Sequence, residues 1–149
     1  MAYNYKAYIF DFDGTLYDNK KMGFYLCSSD LLHIHMIGAE RTARKNLRGI
    51  DFKSKEDFLK NFYGVAAKVS RVSVDRFAKW YEKRYTKNLD KILRKHYKAF
   101  PRTGDVFKKL RTDGAKLCVF SDYCMVNERL RAIDLSPSDV DYTIDAEDC

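Results

Sequence analysis

The sequence predicts an α/β fold, in which a parallel sheet carries a long helical insertion directly after its first strand. Two short apolar runs predict buried strands, YKAYIFD at residues 5–11 and KLCVFS at residues 116–121. Between these runs, residues 19–98 place apolar side chains at helical spacing. A strand, a helical insertion, a helix and a second strand in this order favour parallel strands joined by crossover connections.

The insertion is predicted to contain several helices, each with its own start signal. The first would begin after a cap at Asp18 or Asn19 and end near Gly38. Ser54, which lies three residues before an aspartate, predicts the start of a second helix because a serine cap bonds to the amide three residues later. A longer helix with an aromatic stripe is predicted to begin near Ser73.

After the insertion the pattern returns to alternating helices and strands. Thr103 is predicted to cap a helix that ends at Gly114. A short helix through Leu130 would follow the second strand. The segment DYTID, residues 141–145, predicts a third strand, which completes the sequence of elements expected for a parallel α/β sheet.

Charge divides the chain in the same way as the predicted domains, which are an α/β core at residues 1–16 and 99–149 and a helical cap at residues 17–98. The cap segment holds 20 Lys+Arg and 9 Asp+Glu, a balance of +11, whereas the other residues hold 8 and 12, a balance of −4. The basic segment is open to two interpretations. It attracts an anionic substrate or nucleic acid, or its charges simply lie on solvated helix faces.

Composition excludes several protein classes. No stretch is long and apolar enough to span a bilayer, and the N-terminus lacks the features of a signal peptide. The four cysteines form no C-x-x-C pair, so reduced thiols and a cytoplasmic location are expected. A cysteine phosphatase is also excluded, because no arginine stands six positions after Cys27, Cys118 or Cys124.

Two aspartates follow the first predicted strand, Asp11 at its end and Asp13 in the next loop. Ligand sites in open parallel sheets lie beyond the carboxyl ends of the strands, and two carboxylates there can bind a hard cation. Gly14 permits a tight backbone path, and Thr15 can tie the loop with its hydroxyl. A calcium loop of the EF-hand type is excluded, because its glycine and its final glutamate would stand elsewhere.

The segment FDFDGTLYD, residues 10–18, resembles motif I of the haloacid dehalogenase superfamily, the aspartate-nucleophile phosphatases and phosphotransferases. VFSDY, residues 119–123, is similar to motif II of that family. The helical insertion resembles the cap of the subgroup that includes phosphoglycolate phosphatase and β-phosphoglucomutase. The resemblance implies a Rossmann-like parallel sheet core with an α-helical cap inserted after the first strand.

The resemblance also implies roles for individual residues. Asp11 would be the nucleophile that takes the phosphoryl group as an aspartyl phosphate, and Asp13 would protonate the leaving group and then deprotonate the attacking water. Magnesium would bind the Asp11 carboxylate and the backbone carbonyl of Asp13. The residues predicted to contact the substrate are Gly14, Thr15, Ser121 and Asp122.

Members of this family continue to a third motif with a lysine and a fourth with acidic metal ligands, whereas this sequence ends at Cys149. The sequence therefore predicts a core whose C-terminal part is missing, with a first strand that forms an exposed sheet edge and can pair with a second copy. The predicted function is a magnesium-dependent phosphatase acting on a small phosphorylated metabolite. The alternative is a truncated non-catalytic relative or a binding protein whose basic insertion contacts an anionic partner. Nucleic acid is the least favoured partner, and no membrane contact is expected.

Overall fold

A computed structural model describes residues 6–145 of the chain. The described residues form two compact units: a core unit of residues 6–20 and 93–145, and a helical unit of residues 21–92. The domain boundaries predicted from the sequence lie between residues 16 and 17 and between residues 98 and 99. The assignment of these parts as a catalytic core and a cap stays a prediction.

The core unit contains a parallel sheet within residues 6–145, with the strands in the order β1-β2-β3. The strands are β1 (Ala7–Asp11), β2 (Lys116–Ser121) and β3 (Tyr142–Asp145). The predicted α/β fold with parallel strands is therefore confirmed. Tyr5 of the predicted first strand lies outside the described residues.

The carboxyl ends of the strands meet at one edge of the sheet. Asp11 pairs with Phe120, and Ser121 pairs with Asp145. The backbone then continues the ladder for one more residue, because the amide of Phe12 donates to the carbonyl of Phe120 at 3.0 Å. The loop after β1 therefore begins directly beside the end of β2.

The helices run in chain order as α1 (Met22–Ser29), α2 (Ile34–Leu47), α3 (Lys55–Ser70), α4 (Val74–Trp80), α5 (Thr86–His96), α6 (Thr103–Thr112) and α7 (Val126–Ala132). A π-helical turn, Tyr81–Tyr85, joins α4 to α5 without a break, and 3-10 turns occupy Leu31–His33 and Pro137–Asp139. Within residues 6–145, no helix has the length and apolar character that crossing a membrane requires.

The hydrophobic core of the core unit lies where its helices cover the sheet. Helix α6 packs against β2, and α7 packs against β2 and β3. The fully or almost fully buried apolar side chains there are Phe12, Leu16, Tyr17, Phe107, Leu117, Val119, Leu130 and Ile133. β1 is less covered, since Ile9 is 75% exposed and no described strand pairs with its outer edge. Pairing of this edge with a second copy stays a prediction.

Three of the predicted helix boundaries are confirmed. The hydroxyl oxygen of Ser54 accepts a hydrogen bond from the amide of Asp57 at 3.1 Å, and Ser73 caps α4 in the same way. Gly114 follows α6 with φ +84°, a conformation that favours glycine. The local polar and glycine signals therefore placed these boundaries correctly.

Three other predicted boundaries are wrong. Neither Asp18 nor Asn19 caps the first helix, because α1 begins at Met22 and Lys21 takes its N-cap position. The helix expected to end near Gly38 instead breaks at Asp30, whose φ of −147° is not helical, and α2 then runs through Gly38 to Leu47. Glycine is tolerated inside a helix at a cost of about 1 kcal/mol, so it does not always end one. Thr103 is the first residue of α6 and donates to the carbonyl of Phe100, while Arg102 takes the cap position.

The cysteines in the described residues carry free thiols. Cys118 is buried in β2, and burial raises the pKa of its thiol, which makes it less reactive. Cys149 lies outside the described residues.

Candidate functional site

Asp11 lies at the carboxyl end of β1 with its side chain exposed. The hydroxyl of Thr15 donates to Asp11 Oδ2 at 3.0 Å, and the other carboxylate oxygen has no hydrogen-bond partner within residues 6–145. The loop is closed by the amide of Leu16, which donates to the carbonyl of Phe12 at 3.1 Å. One carboxylate oxygen is therefore oriented by the loop, and the other faces no donor from the described part of the chain.

Gly14 is required at its position for two reasons. Its φ of +86° is a conformation that other residues seldom adopt. A Cβ atom at this position would also lie 3.3 Å from the side-chain nitrogen of Asn19, which is a tight contact. The glycine of the D-x-D-G-T sequence thus allows the chain to turn sharply after Asp13 and pack against Asn19.

Asp13 turns its carboxylate towards a network of donors in the core unit. Arg129 Nη2 donates to both carboxylate oxygens, at 2.6 Å to Oδ1 and 2.7 Å to Oδ2. The Tyr17 hydroxyl donates to Oδ1 at 2.6 Å, and the Ser121 hydroxyl donates to Oδ2 at 3.2 Å. Burial, together with the adjacent Asp13 carboxylate, raises the pKa of Tyr17 well above its ordinary value. Tyr17 therefore remains a protonated donor at physiological pH.

Arg129 provides the positive charge of this network from helix α7. Its side chain is only 2% exposed, and its Nη1 donates to Ser121 Oγ at 2.7 Å. The guanidinium carbon lies 4.2 Å from the centre of the Phe12 ring and 5.5 Å from that of Tyr123, within the range of cation–π contacts. This buried arginine thus connects the loop after β1 to the end of β2.

Sequence reasoning did not select Arg129. The sequence does contain a clue in helix α7. The buried residue Val126 lies three residues before Arg129, and the buried residue Leu130 directly follows it. This spacing puts the arginine on the apolar face of the helix, where an unpaired charge is costly. A cation at a core position is the pattern that indicates a buried acidic partner.

The other predicted site residues differ in exposure. Ser121 is fully buried, and its hydroxyl also accepts a hydrogen bond from the amide of Tyr123 at 3.1 Å. Asp122, Gly14 and Thr15 are exposed. The structure therefore brings Ser121 together with Asp13, and the proposed contacts of these residues with a substrate stay predictions.

Asp145 adds a further carboxylate at the same edge of the sheet. It is buried beside Ser121, and its Oδ2 accepts a hydrogen bond from the amide of Met125 at 3.1 Å. Met125 has φ +64° and precedes the first residue of α7. Asp145 thus fixes the backbone turn from which the helix carrying Arg129 begins.

The acidic residues offer a limited ligand set for a metal ion. Within residues 6–145, no three His, Cys, Asp or Glu side chains gather as a metal site. Magnesium keeps several water ligands and often uses only one or two carboxylates, so the exposed carboxylate of Asp11 fits it. Because both side-chain oxygens of Asp13 bind Arg129, Asp13 would contribute its backbone carbonyl instead.

The helical unit also contains buried carboxylates. Asp30 is 2% exposed at its side chain and binds Arg84 Nε at 2.8 Å, Trp80 Nε1 at 3.0 Å and His33 Nδ1 at 2.7 Å. Burial raises the pKa of Asp30, but the hydrogen bonds from His33, Trp80 and Arg84 outweigh it and leave that pKa lowered. These contacts tie the turn after α1 to the long α4–α5 helix.

Glu40 is the second of these carboxylates and is fully buried in α2. Arg44, one helical turn later, donates to it and also to the hydroxyl of Tyr81, at 2.7 Å. Burial raises the pKa of Glu40, and Arg44 offsets this effect only in part. Arg44 is therefore used in packing the helical unit.

A model of one protein family matches nearly the whole chain. The family model of the haloacid dehalogenase-like hydrolases matches residues 5–148. A search of curated protein sequences gave no match.

Solved structures share the fold at low sequence identity. A Thermotoga maritima protein described provisionally as a β-phosphoglucomutase is 17% identical with a TM-score of 0.51, over 97% of this chain and 63% of that one. A predicted phosphoglycolate phosphatase from Haemophilus somnus is 15% identical with a TM-score of 0.53, over 99% of this chain and 65% of that one. This chain therefore spans less than two-thirds of the length of each.

Proposed function

This chain belongs to the haloacid dehalogenase-like hydrolases, and we propose that it is a phosphatase-type enzyme that acts on a small phosphorylated metabolite. The observation that carries the proposal is the exposed carboxylate of Asp11 at the end of β1, in the sequence FDFDGT. Ligand sites of open parallel sheets lie at this end of the strands. The structural similarity to a predicted phosphatase supports the fold on which this chemistry occurs.

The proposed reaction has two steps. In the first, a carboxylate oxygen of Asp11 forms a bond to phosphorus, and the bond from phosphorus to the leaving group breaks with its electron pair. In the second, water attacks the aspartyl phosphate, which releases inorganic phosphate and restores Asp11. We assign Asp13 as the acid that protonates the leaving oxygen in the first step and as the base that takes the proton of this water in the second. Gly14, Thr15, Ser121 and Asp122 are the proposed substrate contacts.

Magnesium is the proposed cofactor, since hydrolases of this family generally use it. The Asp11 carboxylate and the Asp13 backbone carbonyl would hold the ion. When bound, magnesium neutralises negative charge on the phosphoryl group. The cytoplasm is the proposed location.

The test is phosphate release from an aryl phosphate, with and without magnesium. We expect magnesium-dependent turnover by the wild-type chain and a loss of roughly 10³-fold or more in Asp11→Asn, as removal of a nucleophile produces. The matched control is Asp18→Asn, an exposed aspartate whose partner among the described residues is Lys20, at 3.4 Å, and this change should leave turnover unchanged. Equal turnover by the wild type and Asp11→Asn would contradict the proposal, as would a folded wild type without turnover.

A binding role is the second candidate. Its support is a row of exposed cations along the joined α4–α5 helix, spaced three to four residues apart: Arg76, Lys79, Lys83, Lys87 and Lys91. This spacing places them on one helix face, which favours an anionic partner. The two candidates separate in Asp11→Asn, which should abolish turnover but leave binding of an anionic partner unaffected.

A further inference from the structure

We propose that the helical unit binds the surface of an anionic lipid membrane through an apolar turn that has cations beside it. The turn consists of Leu31, Leu32 and Ile34, between α1 and the first turn of α2, and is called the leucine turn below. This inference rests on the binding role proposed above, whose anionic partner it specifies, and it does not depend on phosphatase activity.

The exposure of the leucine turn is the first support. Leu31 is 69% exposed, Leu32 is 83% exposed and Ile34 is 44% exposed, although all three are large aliphatic side chains. Phe24, which precedes Leu31 by seven residues in α1, is also 70% exposed. Single exposed apolar side chains are common on protein surfaces, but three within four residues indicate a contact surface.

The leucine turn is fixed against the joined α4–α5 helix. Asp30, directly before the turn, accepts hydrogen bonds from Arg84 Nε at 2.8 Å and from Trp80 Nε1 at 3.0 Å. His33, within the turn, lies with its ring centre 6.2 Å from that of Trp80, and its amide donates to the carbonyl of Asp30 at 3.0 Å. Because these contacts order the backbone in advance, insertion of the leucines into a membrane surface loses little conformational entropy.

Cations lie on the side of the α4–α5 helix that contacts this turn. Arg84 binds Asp30 and is 52% exposed, and the exposed Lys87 and Lys91 follow it three and seven residues later, which places them on the same helix face. The helical unit, residues 21–92, holds 16 Lys+Arg and 8 Asp+Glu, a balance of +8. This charge attracts anionic headgroups, and it disfavours a second copy of the unit as the partner because like charges repel.

Aliphatic side chains beside cations fit a lipid surface better than they fit a nucleic acid. Proteins that lie on membranes insert Leu, Phe or Trp at the boundary of headgroups and acyl chains, while Lys and Arg contact the headgroups. Nucleic-acid binding combines cations with aromatic stacking, which leucine and isoleucine cannot provide. The sequence carried no expectation of membrane contact, because the exposure of the leucine turn is a property of the folded unit. Surface contact requires no membrane-spanning helix.

The first experiment is co-sedimentation of the whole chain with vesicles of phosphatidylcholine alone and of an equal mixture of phosphatidylcholine and phosphatidylserine. We expect binding to the anionic vesicles and a loss of roughly 10-fold or more in affinity in Leu31→Ser/Leu32→Ser, because buried leucine side chains gain about that much. The matched control is Ile50→Ser, which is 52% exposed and is separated from the turn by the 14 residues of α2. An equal loss in the control, or no loss in the leucine variant, contradicts the inference.

A second comparison tests the cations. Lys87→Gln/Lys91→Gln should weaken binding to the anionic vesicles by roughly 5-fold for each cation removed. The matched control is Lys45→Gln/Lys53→Gln, which changes the net charge equally but lies at the far end of α2, beyond the Debye length of about 10 Å. The control should therefore weaken binding less. Equal weakening in the two variants would show that total charge, and not the surface beside the leucine turn, determines binding.

The outcomes also separate this inference from the functions proposed above. Binding to a single-stranded RNA oligonucleotide without binding to anionic vesicles contradicts the inference and leaves the binding role standing. Absence of binding to both, in folded wild-type protein, contradicts the inference and the binding role together. Phosphate release should be the same in the wild type and in the leucine and lysine variants, so the phosphatase function is tested independently.

Discussion

An arginine–aspartate pair occurs in each of the two units, but the two pairs differ in which member is exposed to solvent. In the core unit the arginine is enclosed, since the Arg129 side chain is 2% exposed and that of Asp13 is 23% exposed. In the helical unit the aspartate is enclosed, since Asp30 is 2% exposed and Arg84 is 52% exposed. The acidic member is therefore at the surface only in the core unit.

The difference indicates which pair has a function beyond packing. A carboxylate at the surface of its pair can be approached by water or a ligand, and Asp13 also lies in the loop that begins at the exposed Asp11. Three side chains bond to each carboxylate, but that of Asp30 is only 2% exposed, so these partners close it to water, whereas that of Asp13 is 23% exposed. We therefore attribute Asp30 to the stability of the helical unit and Asp13 to the proposed reaction.

The largest effect on stability is expected for Asp13→Ala, because this change leaves Arg129 buried without a counter-charge. We expect a loss of about 3–5 kcal/mol in the free energy of unfolding, the usual cost of breaking a buried pair. Equilibrium unfolding in urea measures it. Asp11→Ala is the control, since the one hydrogen bond of its exposed side chain within residues 6–145 is to Thr15, and this change should alter stability by less than about 1 kcal/mol. A similar small change in both variants would mean that the pair is not formed.

A smaller effect is expected for Asp30→Ala, because the arginine that it releases is half-exposed and can turn to water. The remaining cost is mainly the buried Nε1 donor of Trp80, which gives a loss of about 1–3 kcal/mol. The measurement is again urea unfolding at neutral pH. A loss equal to that of Asp13→Ala would contradict the comparison between the two pairs.

The loss of stability in Asp30→Ala is also expected to depend on pH. Because hydrogen bonds hold the pKa of Asp30 below its ordinary value, its stabilisation is present above about pH 4 and is lost as the pH falls through the folded-state pKa. The difference in stability between the wild type and Asp30→Ala should therefore narrow on acidification. A constant difference from pH 7 to pH 3 would show that Asp30 has the same pKa in the folded and unfolded states.

The smallest effect on the free energy of unfolding is expected for Glu40→Gln. Its pH dependence is opposite to that of Asp30→Ala. Burial raises the pKa of Glu40, so the folded state binds more protons than the unfolded state, and this group lowers stability as the pH rises towards neutrality. Relative to the wild type, Glu40→Gln should therefore become more stable as the pH rises from about 4.5 to 7. The control is Glu56→Gln, an exposed residue in the first turn of α3. Identical pH profiles for the wild type and Glu40→Gln would contradict the raised pKa.

Much of the sheet could be predicted from the sequence because its strands are continuous apolar runs. β2 was predicted residue for residue at 116–121, and β3 lies within the predicted 141–145. The residues at the strand ends, Asp11 and Ser121, follow from the same runs. Helix boundaries were less predictable, because Gly38 adopts ordinary helical geometry and the left-handed backbone of Arg102 took the cap position expected for Thr103.

The partner of Asp13 could not be predicted from local pattern. Arg129 is 116 positions away in sequence, and the contact exists only because parallel pairing brings the β1 loop beside the end of β2 and α7 packs against that strand. Motif I indicates which acidic residues are present but not which way their side chains turn. The orientation of Asp13 is therefore a property of the folded core unit.

The most direct test of the account is whether Asp11 becomes covalently phosphorylated. The chain is mixed with magnesium and radiolabelled acetyl phosphate, quenched in acid, digested, and the labelled peptide is sequenced. We predict label on Asp11 in the wild type and none in Asp11→Asn. Phosphate release with no label on the protein, or label on another residue that persists in Asp11→Asn, would contradict the central role of Asp11.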